Sequence, residues 1–198
     1  MCGTLLFCIS ELAFALTSDV LSVEAEESGG HFSLVESRAG PPIGQHFKRQ
    51  LGENQTFHTD FINATPQECQ RWAFERQKHD NSVDQGLIAI LDERSARDGT
   101  LLIQIYNGLP EGCEPLIFGR YGELPPERDV WYDFRIDYHQ AAVLSAGLTM
   151  VTPEIAYPIY YENKERFTDE HGVFDVREAS RFGSNRDPDV KEADLLEW

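Results

Sequence analysis

The tetrapeptide Thr65-Pro66-Gln67-Glu68 dictates where one helix of this chain must begin. A hydroxyl stands at the cap, a proline at the first helical position, where no N–H is needed, and a glutamate at the third, the capping-box arrangement. Cys69, Trp72, Ala73 and Arg76 then share one helical face, and the pattern stops near His79-Asp80-Asn81. Gly86-Leu87-Ile88-Ala89-Ile90-Leu91 follows as an unbroken apolar run, which predicts a strand covered on both sides. Upstream, residues 57–62 alternate apolar and polar side chains like a half-buried strand. Strand, helix and buried strand in that order predict a βαβ unit with a right-handed crossover.

The remaining segments extend this frame. Past a turn at Arg97-Asp98-Gly99, residues 100–106 predict a strand close enough in sequence to pair antiparallel with the one before. Residues 115–119 are a short fifth candidate. Over 130–139, Tyr132, Phe134, Ile136 and Tyr138 fall on one face and Asp133, Arg135, Asp137 and His139 on the other. A helix is predicted over 140–150, and Thr152-Pro153-Glu154 opens a further helical segment that Pro158 must interrupt or shift. At the start, residues 4–16 read as a helix with Leu5, Ile9, Leu12 and Leu16 in a stripe. Residues 17–53 hold no period and are punctuated by Gly29-Gly30, Gly40-Pro41-Pro42 and Gly44, the composition of a loose linker. The expectation is therefore a single α+β domain over residues 55–176. Its sheet is mixed and largely antiparallel, with about five strands, one βαβ unit and two or three flanking helices. Residues 1–54 form an N-terminal helix and linker, and 177–198 an acidic tail.

Composition narrows the partners. The 198 residues carry 34 acidic and 17 basic side chains, a formal charge of −17. Acids outnumber bases two to one over residues 1–50, 51–150 and 151–198 alike, so the negative field belongs to the whole surface. Such a field repels nucleic-acid backbone and anionic membrane and favours a protein partner with a basic surface. No apolar run reaches the length of a spanning helix. The cysteines Cys2, Cys8, Cys69 and Cys113 form no CxxC pair, which predicts reduced thiols and a cytoplasmic setting. The alternative is secretion, from the apolar stretch 5–16 and the sequons Asn54-Gln55-Thr56 and Asn63-Ala64-Thr65.

Three groups of residues could carry function. His58 with Asp60 and Asp137 with His139 each alternate on a predicted strand, so each pair projects from one sheet face about 7 Å apart. On neighbouring strands the four would offer imidazole and carboxylate ligands to a divalent metal, as in a small metal-assisted hydrolase or isomerase. The competing reading is a solvent-facing row of compensating charges. Asp92, at the end of the buried strand, is a pocket candidate, or else the cap of the next turn. Tyr157, Tyr160 and Tyr161, with Leu195, Leu196 and Trp198 near the C-terminus, are candidates for a partner-binding surface. No GxGxxG, P-loop or GxSxG motif occurs, so no cofactor is predicted beyond the possible metal. A non-catalytic module engaging a basic protein partner is the first expectation, and the metal-assisted enzyme is the alternative.

Two resemblances bear on this. Thr59-Asp60-Phe61, Trp72, Leu91-Asp92 and Gly172-Val173-Phe174 resemble, in their order, a family of small domains of bacteria and fungi over about residues 59–174. That likeness implies a compact α+β domain and no activity. The opening Met1-Cys2-Gly3 resembles the start of N-terminal-nucleophile glutamine amidotransferases, which implies Cys2 as a terminal thiol nucleophile. The rest of that pattern departs: Arg38-Ala39-Gly40-Pro41 interrupts the expected Arg-Gly-Pro, and Asn107-Gly108-Leu109 replaces Asn-Gly-Glu.

Overall fold

A computed structural model describes residues 3–27, 32–42, 45–51, 55–77, 83–108 and 114–184. Its single sheet has five strands: β1 (Gly3–Cys8), β2 (Phe32–Leu34), β3 (Val83–Leu91), β4 (Thr100–Asn107) and β5 (Val130–Asp137), in the order β2-β1-β3-β4-β5. Six α-helices accompany it among the described residues: α1 (Phe14–Glu27), α2 (Pro66–Gln77), α3 (Glu93–Asp98), α4 (Ala141–Thr149), α5 (Pro153–Ala156) and α6 (Val176–Ser184). The fold is α+β with a mixed sheet. The parallel share exceeds the prediction, because β1 is parallel to both β2 and β3. β3 and β4 are antiparallel. So are β4 and β5, since Tyr138 N–H donates to the Gly99 carbonyl (3.3 Å) while Gln104 reaches Asp133 (2.7 Å), one number rising as the other falls. By packing, the chain divides into two compact units. One comprises residues 1–105 with 132–142, the other 106–131 with 143–198.

In the first unit, residues 4–8 are a strand and not the predicted start of a helix. Leu5, Leu6, Phe7 and Cys8 are all fully buried, so both faces of β1 are covered, Phe7 packing against Phe61 and Trp72, while β2 and β3 pair with its two edges. An apolar stretch this short satisfies helical spacing and a central strand equally well, and the neighbouring strands decide. Ser10 then accepts a hydrogen bond from Leu12 N–H and starts the helical turn that leads into α1. Leu12, expected in the apolar stripe, is exposed. The helix occupies what was read as linker: Ala13, Thr17, Val20 and Leu21 are buried at helical spacing, and the Thr17 hydroxyl donates to the Ala13 carbonyl (2.9 Å). A polar residue in the buried face hid the period.

The capping box forms as read. Thr65 N–H donates to the Glu68 carboxylate (2.8 Å) and Glu68 N–H to the Thr65 hydroxyl (3.3 Å). Trp72 anchors α2 edge-on against Phe7 and Phe61, both at 5.7 Å between ring centres, and its indole N–H donates to the Arg38 carbonyl (2.8 Å). Residues 57–62 alternate inward as expected, with Phe57, Thr59 and Phe61 buried. They form no strand, however: Asp60 N–H bonds to Glu36 O and Asn63 N–H to Ile9 O as single bonds, and Ala64 N–H closes a turn on Phe61 O (2.9 Å). The crossovers instead run from β1 through α1 to β2 and from β2 through α2 to β3. The helix α3 was not anticipated, and the candidate strand at 115–119 reduces to one bridge, Ile117 with Glu123.

In the second unit, Ile159, Tyr160, Phe174, Val176 and Ala179 form the core. Backbone approach is close: a Cβ on Gly147 would lie 2.4 Å from the Tyr160 hydroxyl. α5 opens with Pro153 at its first turn, and Pro158 shifts the helix as predicted. Lacking an N–H, Pro158 cannot continue the i→i−4 ladder. The chain takes a π-helical turn over Tyr157–Tyr161, closed by Glu162 N–H to the Tyr157 carbonyl (3.0 Å). Asn163 donates its side-chain amide to the Pro158 carbonyl (2.6 Å). No helix among the described residues is long and apolar enough to cross a membrane.

Candidate partner-binding site

The carboxyl ends of parallel strands, where the chain departs to opposite sides of β1, are where α/β sheets usually open a crevice. Here backbone occupies that end. Ile9 N–H bonds to Leu91 O and Asn63 N–H to Ile9 O, both at 2.9 Å, so the loops after β1 and β3 and the 60–63 turn are stitched together.

Asp92 does stand at the end of β3, and it serves as a cap. It forms a capping box with Ser95 at the start of α3, and Ser95 itself is fully buried. The same carboxylate meets Arg135 of β5 through two guanidinium nitrogens, Nη1 at 3.0 Å, and Arg135 also reaches the Ser95 hydroxyl (3.2 Å). Burial pushes the Asp92 carboxyl up, but the hydrogen bonds and charge of Arg135 and the bonds from Ser95 outweigh it and hold the group below the usual carboxylate range. Arg135, read from sequence as one of a solvent-facing charge row, has a side chain only 12% exposed. A partner 43 residues away leaves no mark in a local pattern.

The proposed metal ligands are placed in two separate structural roles. His58 lies outside any regular element and Asp60 in a turn, so neither is on a strand. Asp60 accepts from Arg38 N–H (3.0 Å); this bond, with help from Ser37, lowers its pKa. Asp137 ends β5 and His139 lies in the following 3₁₀ turn, so they do not alternate on a strand either. Asp137 caps that turn, accepting from His139 N–H (2.9 Å) with the imidazole Nδ1 at 2.8 Å. Among the described residues no three His, Cys, Asp or Glu side chains come together as a metal-holding group, so the four-ligand set is not assembled.

Of the aromatic candidates, Tyr160 is corrected to a core residue. It is 5% exposed, its hydroxyl pairs with Ser180 (3.1 Å), and its ring packs on Phe174. Tyr157 and Tyr161 are half-buried and stack on each other, ring centres 5.8 Å apart and planes 13° from parallel. Burial raises the Tyr157 phenol, and the negative charges of Glu162 and Glu127 add to it. Asn107 holds the Glu127 segment in place by donating to the carbonyls of Pro125 (3.1 Å) and Glu127. Glu154 and Glu162 are exposed and form no ion pair among the described residues. These acids were not picked out from sequence; the signal was Pro158, which predicted a shifted helix without saying which side chains the shift would align. Leu195, Leu196, Trp198 and Cys2 lie outside the described residues.

Comparison with protein-family models, with curated proteins and with solved structures gives no match to this chain.

Proposed function

We propose that this chain is a non-catalytic protein-binding module that receives a basic segment of its partner at the Tyr157–Tyr161 surface. The observation that carries the reading is a stacked, half-buried tyrosine pair on the same helical segment as the exposed Glu154 and Glu162, which form no ion pair among the described residues. Aromatic faces next to unpaired negative charge attract ammonium and guanidinium groups, and aromatic anchors dominate interface energetics. The net charge of −17 adds long-range steering toward basic partners. At the other candidate positions the polar groups already serve the fold: Asp92 in a cap and an ion pair, Asp137 in a cap, Asp60 in a turn. Free, buried Cys8 and Cys69 fit a reducing, cytoplasmic setting.

The test is fluorescence anisotropy with a dye-labelled decapeptide containing three arginines and three lysines. Saturable binding that weakens at least tenfold between 50 and 300 mM salt is expected, given several released counterions. Tyr157→Ala should weaken it about 3- to 30-fold, the range of one cation–π contact. Absence of saturable binding at millimolar protein, or binding indifferent to Tyr157→Ala, would refute the reading.

A further inference from the structure

The identity of the basic group follows from the geometry of the π-helical turn. In an α-helix, residues five apart point to opposite sides, because each residue turns the chain by about 100°. An i→i+5 bond widens the turn, so residues four and five apart both fall on neighbouring rows of one side. The bond from Glu162 N–H to the Tyr157 carbonyl is of this kind, at 3.0 Å. It brings Glu162 beside Tyr157, while Tyr161, four residues on, stacks against it. Glu154 precedes Tyr157 by three residues, the spacing of neighbours on a helical face. One ring therefore has an aromatic neighbour on one side and the charge of Glu162 acting on it, with Glu154 one helical turn before it in the chain. π-turns of this sort occur disproportionately at functional positions.

We infer that this surface takes an arginine side chain in preference to lysine, its guanidinium lying flat on the Tyr157 ring and donating to the Glu162 and Glu154 carboxylates. The inference rests on the reading of the tyrosine surface as the partner site. Geometry makes the distinction. A guanidinium is planar, stacks on a ring face, is weakly hydrated and projects donors in its own plane, so it can lie on the ring and reach carboxylates at the edge together. An ammonium is a compact, strongly hydrated point charge that must choose between ring and carboxylate. Tyr161, stacked on one face of Tyr157 with the planes 13° apart, fixes the orientation of the ring whose other face would take the planar group.

The experiment uses the full chain and two labelled decapeptides identical except that all basic residues are arginine in one and lysine in the other. Arginine should bind about 5- to 10-fold more tightly, in keeping with an added cation–π and bidentate contact of roughly 1 kcal/mol. Glu162→Gln, a change at an exposed side chain that forms no ion pair among the described residues, should reduce arginine affinity several-fold and lysine affinity less. Equal affinity for the two peptides, or an arginine preference that survives Tyr157→Ala, would overturn the inference and leave the binding reading standing. Failure of both peptides to bind would remove the reading itself.

Discussion

Replacing Asp92 and Arg135 singly and together measures how the β3 end is tied to β5. Asp92→Ala removes a helix cap, worth about 1 kcal/mol, together with charge-assisted bonds to Arg135 worth about 1.5–3 kcal/mol. It also strands a guanidinium whose side chain is only 12% exposed, so a loss of about 3 kcal/mol is expected. Arg135→Met keeps the stem's packing and leaves Asp92 still capping Ser95, for a loss of about 2 kcal/mol. The double variant should lose less than the sum, with a coupling energy of about 1–2 kcal/mol. Urea unfolding followed by tryptophan fluorescence gives all four values. The pH dependence provides a second check with a definite sign. The folded Asp92 pKa lies below its unfolded value, so its contribution is present above about pH 4 and is lost as pH falls through the folded value. The gap between wild type and Arg135→Met should therefore be widest near neutrality and narrow in acid. Single losses that simply add, or a gap that stays constant down to pH 2, would show that the two groups are neighbours without energetic linkage.

Three further outcomes test the packing. Burial pushes the Cys8 thiol up and drives Cys69 up to about 12, so neither should react with iodoacetamide in the native protein at pH 8; peptide mapping that found either carboxymethylated within minutes would contradict their placement. Gly147→Ala would bring a methyl to 2.4 Å from the Tyr160 hydroxyl, and the clash should exceed the gain in helix propensity, lowering stability by about 1–3 kcal/mol in the same urea assay. Thr65→Ala removes the acceptor of Glu68 N–H and should lower stability by about 1 kcal/mol, with Thr65→Ser close to wild type; equal losses in both would show that the hydroxyl is not the cap.

Both proline signals could be read before the fold was known, for the same reason. Pro66 sits where a helix has an N–H to spare, and Pro158 where it has none. Each consequence is settled within five residues. Trp72 as anchor of α2 and the buried run in β3 were also legible, because apolar periodicity reports burial directly. The strand assigned to 57–62 shows the limit of such periodicity. Alternation told correctly which side chains turn inward, but a strand needs a neighbour's backbone in register, and Asp60 and Asn63 bond to Glu36 and Ile9 one at a time.

What the chain determined by itself is its short-range chemistry: the capping box at Thr65, the shifted turn at Pro158, the uniform negative charge and the buried strand after α2. Tertiary structure decided the rest. It made residues 4–8 a strand by placing β2 and β3 on either side, turned Arg135 from a surface charge into the partner of Asp92, and separated buried Tyr160 from the half-buried, stacked Tyr157 and Tyr161. Hydrogen bonds spanning three to five residues are fixed by local backbone geometry. Which distant surfaces meet depends on how the whole core packs, and no window of sequence contains that information.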